Sequence, residues 1–134
     1  MNISDIIEEI HGINSRELDQ SWGAEYLPVK VILTTDDGVV ESGFGDIDSW
    51  RGAYNEPCLF LGDNSSSKDL LKELYMVQSG SGYTGYKGGY YSYGASYELN
   101  VETDYSMYSG DGYIDSVYYD ETRKCIIITC NKTQ

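Results

Sequence analysis

The chain has 134 residues, enough for one domain spanning 1–134 with a real core and too few for two. Nine Lys and Arg against 22 Asp and Glu leave a formal charge of −13, a field that disfavours direct nucleic-acid or anionic-membrane binding and attracts basic protein surfaces. Fourteen Tyr against two Phe give an aromatic inventory whose polar ends must stay wet or bonded, as at binding faces. Taken in order, the elements begin with a short helix that Ser4 caps and that runs to about His11. Ile3, Ile6, Ile7 and Ile10 line one face, and Gly12 and Asn14 end it. Residues 13 to 24 are polar and mixed and read as loop. From Tyr26 to Thr34, Val29, Val31 and Leu33 alternate with Lys30 and Ile32, predicting a strand with one buried face. Asp36-Asp37-Gly38 is a hairpin turn, and Val39 to Phe44 returns as the partner strand.

Cys58 to Leu61 is a short apolar run that reads as a buried strand, broken by Gly62-Asp63-Asn64-Ser65. Ser66 or Ser67 then caps a helix to about Gln78, with Leu70, Leu71, Leu74 and Val77 on one face. A Gly/Tyr stretch leaves that helix and becomes strand near Tyr90. Tyr97, Leu99, Val101 and Thr103 alternate with Glu98, Asn100 and Glu102, a further one-sided strand. Ser109-Gly110-Asp111-Gly112 reads as a turn. Tyr113 to Tyr119 and Cys125 to Cys130 form a closing hairpin over Glu121-Thr122, with Ile126 and Ile128 inward. Strands outnumber helices and few connections suit helical crossovers. The expected fold is α+β, a mostly antiparallel sheet with two helices packed on one side.

Three Cys make an odd count, and Cys125 and Cys130, five apart on a strand, face opposite sides. Without a signal peptide or CxxC, the expected setting is a reducing cytosol with free thiols. His11, the single histidine, sits at a helix end where its charge complements the dipole, a structural role. One His and no CxxC predict no transition-metal site and no cofactor. Asp46-x-Asp48 begins like a calcium loop, but Trp50 and Arg51 stand where a ligand and a Gly are needed. No activated nucleophile is visible, so no enzyme is expected.

Two stretches concentrate unusual residue types. Ser79 to Gly94 holds six Gly, five Tyr and one cation, Lys87, a composition suited to a shaped, half-polar pocket wall. Its composition alone equally suits a linker or a tyrosine-rich edge strand. Gly80-Ser-Gly82-Tyr-Thr-Gly85 matches GxGxxG but follows a helix, where the dinucleotide fingerprint needs a preceding strand. A Gly-rich anion nest remains open to it. Asp46 to Pro57 places Arg51 beside Trp50. Arg51 and Lys87 lie among Gly and aromatic residues, where Arg forks to phosphate and aromatics stack on bases. The competing reading pairs Arg51 with Asp46, Asp48 or Glu56 to pin its own loop.

The order Ser49-Trp-Arg-Gly-x-Tyr54-x-Glu56-Pro57, a Leu-rich helix, then Thr84-Gly-Tyr-Lys-Gly-Gly89 resembles a set of short phage-encoded proteins carrying S-(W/Y)-R-G-x-Y and T-G-Y-K-G-G. The resemblance covers roughly residues 28 to 120. It implies a phage anti-defence protein of the host bacterial cytosol, a sponge that sequesters a cyclic nucleotide immune signal, such as a cyclic dinucleotide, without cleaving it. The matching positions placed at the ligand are Trp50, Arg51, Tyr54, Thr84, Tyr86 and Lys87. This reading accommodates a homodimer or higher homo-oligomer. The alternative is an acidic nucleic-acid mimic that inhibits a bacterial nuclease, restriction or CRISPR effector through its basic surface.

Overall fold

The computed structural model describes residues 1–18, 26–50, 53–85, 88–103 and 112–132, apart from the side chains of Ala53 and Tyr54. Two helices and eight strands follow one another as α1 (Ile3–Glu17), β1 (Val29–Thr35), β2 (Gly38–Trp50), β3 (Ala53–Gly62), α2 (Ser67–Gln78), β4 (Gly82–Thr84), β5 (Tyr90–Ser92), β6 (Asn100–Glu102), β7 (Ile114–Asp120) and β8 (Cys125–Lys132). The class is α+β, with a mostly antiparallel sheet.

Helix α1 starts two residues earlier than a Ser4 cap would set it and ends later than Gly12 predicts. Asn2 is the cap: its side chain accepts the Asp5 N–H at 2.8 Å, and Asp5 returns the favour to the Asn2 N–H. The helix continues to Glu17 because Ile13 extends the buried isoleucine stripe and Asn14 has work on the same side. The Asn14 side-chain oxygen Oδ1 accepts the Leu27 N–H at 2.8 Å, and its side-chain Nδ2 donates to Ser67 Oγ at 3.5 Å. Tertiary bonds thus hold a turn that local propensity would end. Helix α2 runs as predicted, capped by Ser66, whose hydroxyl accepts the Asp69 N–H at 3.1 Å. The helices touch each other, α1 also meets β7, and α2 meets β2. His11 bonds the Tyr75 hydroxyl across the helix pair.

Six strands form one sheet in the order β6-β3-β2-β1-β8-β7, and β4 and β5 form a separate hairpin. Two neighbouring pairs in the large sheet are parallel, β1 with β8 and β3 with β6, within the mostly antiparallel sheet expected from the sequence. Strands β2 and β3 are much longer than the apolar runs that announced them, so the Trp50 region is the end of a hairpin arm and not a loop. The hairpin carries a bulge between Phe44 and Ile47, beside which Gly62 packs so tightly that an added Cβ would lie 2.7 Å from Gly45 Cα.

The sheet curls until its two edges meet. Asn100 on β6 bridges Tyr113, the residue before β7, with Val101 N–H donating to Gly112 at 3.2 Å and Ile114 N–H to Leu99 at 3.1 Å. Joining β6 to the start of β7 covers unpaired backbone that an open sheet would leave at both edges. Ile residues of α1, Leu residues of α2 and one set of alternate strand residues, among them Val31, Leu59, Val101 and Ile128, share the main core. A smaller cluster of Trp50, Cys58 and Phe60 comes from the other face of β2 and β3.

Candidate functional site

The two motif-bearing segments meet. Ser49, the residue before Trp50 on β2, is fully buried, and its hydroxyl donates to the Thr84 carbonyl on β4 at 3.3 Å. Thirty-five positions separate them in sequence. The contact follows from the hairpin geometry: β2 carries Ser49 to the tip of its arm, and the chain leaving α2 turns through Gly80, at φ +84°, to run β4 alongside. Thr84 is exposed at the end of β4.

Trp50 is fully buried in the small cluster, with the Lys132 ammonium 5.0 Å from its ring centre. It forms a floor beneath the hairpin end and not an open stacking face. The backbone of Tyr54 lies in β3, and its side chain is outside what the structure describes. Arg51, Tyr86 and Lys87 also lie outside the described residues. The structure therefore joins the end of β2 to the end of β4, and of the six candidate side chains it locates those of Trp50 and Thr84.

Carboxylates surround this meeting point. Burial pushes the Asp48 carboxyl up from its ordinary value, against the Ser49 N–H that donates to it at 2.7 Å. Burial also raises Glu73 on α2, although the Ile47 N–H bonds its carboxylate, and Asp46, Asp48 and Asp69 add repulsion. The Tyr83 hydroxyl is pushed up to about 12, chiefly by burial, and has no hydrogen-bond partner among the described residues. An anionic ligand here needs cations, and the cations nearest in sequence to Ser49 and Thr84 are Arg51 and Lys87. Elsewhere Lys30 and Arg123 are both committed to Glu41. Tyrosines continue from the site: the Tyr83 ring lies 5.7 Å from that of the buried Tyr93, tilted to it, and Tyr93 meets Tyr97 edge-on at 5.5 Å.

One feature escaped sequence reasoning. Glu102, expected on the wet side of its strand, is fully buried and bonded to the Lys132 ammonium at 2.5 Å. Gly112 makes room, since a Cβ there would meet Lys132 Cγ at 2.2 Å. The only advance sign was a lysine closing an isoleucine-rich strand. Cys58, Cys125 and Cys130 are buried free thiols. Burial raises all three, Cys130 to about 12, which leaves them protonated and poor nucleophiles. Among the described residues no three His, Cys, Asp or Glu side chains are placed to hold a metal ion, and no helix is long and apolar enough to cross a membrane. Compared with family models, with curated proteins and with solved structures, the chain matches none.

Proposed function

We propose that this chain is a phage anti-defence protein that captures a cyclic nucleotide signal in the host cytosol and holds it without chemistry. The Ser49–Thr84 hydrogen bond carries the reading, because it joins the segments that hold Trp50, Arg51, Tyr54, Thr84, Tyr86 and Lys87. In this reading Arg51, Lys87 and the Gly-rich backbone take the phosphates while Tyr54 and Tyr86 stack on bases. Trp50 supports the hairpin end from beneath. Both helices are read as covering one face of the sheet, leaving the hairpin ends open to the ligand. Capture requires slow release and no catalytic set, and two cations in a recessed site outweigh a surface field that salt screens within about 8–10 Å.

The test is direct. The protein is incubated with a panel of cyclic di- and trinucleotides, separated from free ligand, and heated. Recovery of one nucleotide intact supports capture. Recovery of a cleaved product, or binding of none, overturns it.

A second reading, an acidic decoy for a basic nucleic-acid-binding protein, is favoured by the carboxylates that crowd the same region, Asp46, Asp48 and Glu73. Pulldown from a bacterial lysate then yields a basic partner whose binding fades steeply with salt.

A further inference from the structure

The side of the sheet opposite the main core presents a second surface, spread across β2, β1, β8 and β7. Alternation decides which residues point there. Val29, Val31 and Leu33 turn into the core, so Lys30, Ile32 and Thr34 turn away from it. Register then sets their neighbours in rows. Glu41, Ile32, Thr129 and Ser116 lie side by side across the four strands, with the Ser116 and Thr129 hydroxyls bonded to each other. The next row holds Lys30, Ile127 and Tyr118. On the other side of Ile32, Thr34 stands against Val39. Val39 is 65% exposed and Tyr118 46% exposed. These two large side chains sit in water at opposite corners of one β-branched, hydroxyl-rich surface.

Charge singles this face out. The chain as a whole carries −13, so two copies repel wherever acidic surfaces meet. Here the described charges cancel, with Lys30 and Arg123 standing against Glu41 and Asp120. They are also tied to one another. Lys30 Nζ lies 3.5 Å from Glu41, Arg123 bonds the same carboxylate, and Arg123 Nε lies 3.6 Å from Asp120. A neutral face draws in neither a basic nor an acidic stranger. It does give an acidic molecule a place to meet its own copy without repulsion. Because both signs are present, each copy also offers the other's charges a partner across a two-fold axis.

Size agrees with that partner. Four strands about 4.8 Å apart and six residues rising about 3.4 Å each give a footprint of about 400 Å² per copy. With side-chain relief added, two such faces come close to the total of about 1,000 Å² that specific interfaces clear. An interface this small holds its partner only modestly, with a dissociation constant in about the micromolar range. We propose that this face pairs two copies of the chain into an isologous dimer, sheet against sheet, with Val39 and Tyr118 buried at the contact. None of the six residues of the nucleotide reading lies in these rows, so either assignment can fail alone.

Sedimentation equilibrium on the full chain tests it, over concentrations that bracket micromolar dissociation. The mass is expected to rise from 15.0 kDa toward twice that value. Two variants locate the contact. Val39→Lys and Tyr118→Lys each set like charges against one another across the two-fold axis. Each is expected to weaken association at least tenfold while keeping the parent circular dichroism, since both positions are exposed in the single chain. Each also lowers the net negative charge, so a general relief of repulsion would give the opposite result, tighter association. Met76→Lys makes the same charge change on α2, at a residue 48% exposed and away from these rows. It is expected to associate at least as well as the parent. A chain that stays at 15.0 kDa throughout overturns the proposal. So does an assembly that both Val39→Lys and Tyr118→Lys leave intact, or one that Met76→Lys weakens equally, because either result puts the contact on another surface.

Discussion

Lys132 and Glu102, thirty residues apart, form an ion pair that is almost wholly excluded from water, with the Lys132 ammonium also facing the Trp50 ring. The pair ties the last strand to the strand at the far edge of the sheet. It therefore helps hold the floor on which the Trp50 hairpin end rests. Removing one partner leaves the other charged and buried, whereas replacing both with apolar groups removes the problem. Lys132→Met alone is expected to cost about 3–5 kcal/mol, read by urea denaturation. The Lys132→Met/Glu102→Leu pair is expected to recover most of that loss.

A sharper backbone test lies at Gly62. An added Cβ would meet Gly45 and Phe44 backbone atoms at 2.7–2.8 Å, and backbone cannot step aside as a flexible side chain does. Gly62→Ala is expected to destabilise by about 1–3 kcal/mol. The Gly38→Ala change, where φ is +132° but no atom lies within 4 Å, costs only the strain of that conformation. Melting temperatures of the two variants, measured side by side, check the order.

Acid has an unusual effect at Glu73. Burial raises its carboxyl above the ordinary 4.5, so the folded chain holds that proton at pH values where the unfolded chain has released it. The folded state is thus relatively favoured as pH falls through this window, and the penalty of the buried charge is fully present above it. Glu73→Gln is expected to melt higher than the parent near neutral pH, with the gap closing as the pH approaches 4.5. Asp48, raised in the same direction, follows the same pattern. Paired melts across pH read the effect.

Ser49→Ala removes the bond that joins the two motif segments. The stability loss is expected to be small, about 0.5–1.5 kcal/mol, while the nucleotide-induced rise in melting temperature falls. Arg51→Ala and Lys87→Ala are expected to abolish that rise with the parent fold retained in circular dichroism. Unchanged ligand response in all three moves the site elsewhere.

Elements built from local signals were legible in the sequence. Helix α2 shows its Ser66 cap and its Leu70, Leu71, Leu74 and Val77 stripe in plain order, and the β1–β2 and β7–β8 hairpins follow from alternation around turns. What distant residues decide was not legible. The last turn of α1 survives because Asn14 bonds Leu27, and nothing near Asn14 announces it. The parallel pairs match residues nearly a hundred and about forty positions apart. Alternation also failed at β6. It marks Asn100 and Glu102 as wet, but Tyr113 crosses one and Lys132 reaches the other, so both faces of that short strand are dry. The candidate nucleotide site was half legible: its motifs could be read, but their meeting through Ser49 and Thr84 could not.

The pairing of β1 with β8 bears on when the molecule is made. Val29 finds its neighbour in Ile126, so the sheet lacks a strand until the chain has been synthesised past β8. A nascent chain can prepare α2 and the β1–β2 hairpin early, but the sheet cannot be completed before β8 has emerged from the ribosome. Closure of the sheet is then slow, on the scale of about milliseconds to seconds typical of long-range strand pairing, and a chaperone that shelters the waiting edge of β1 would raise the yield of active protein.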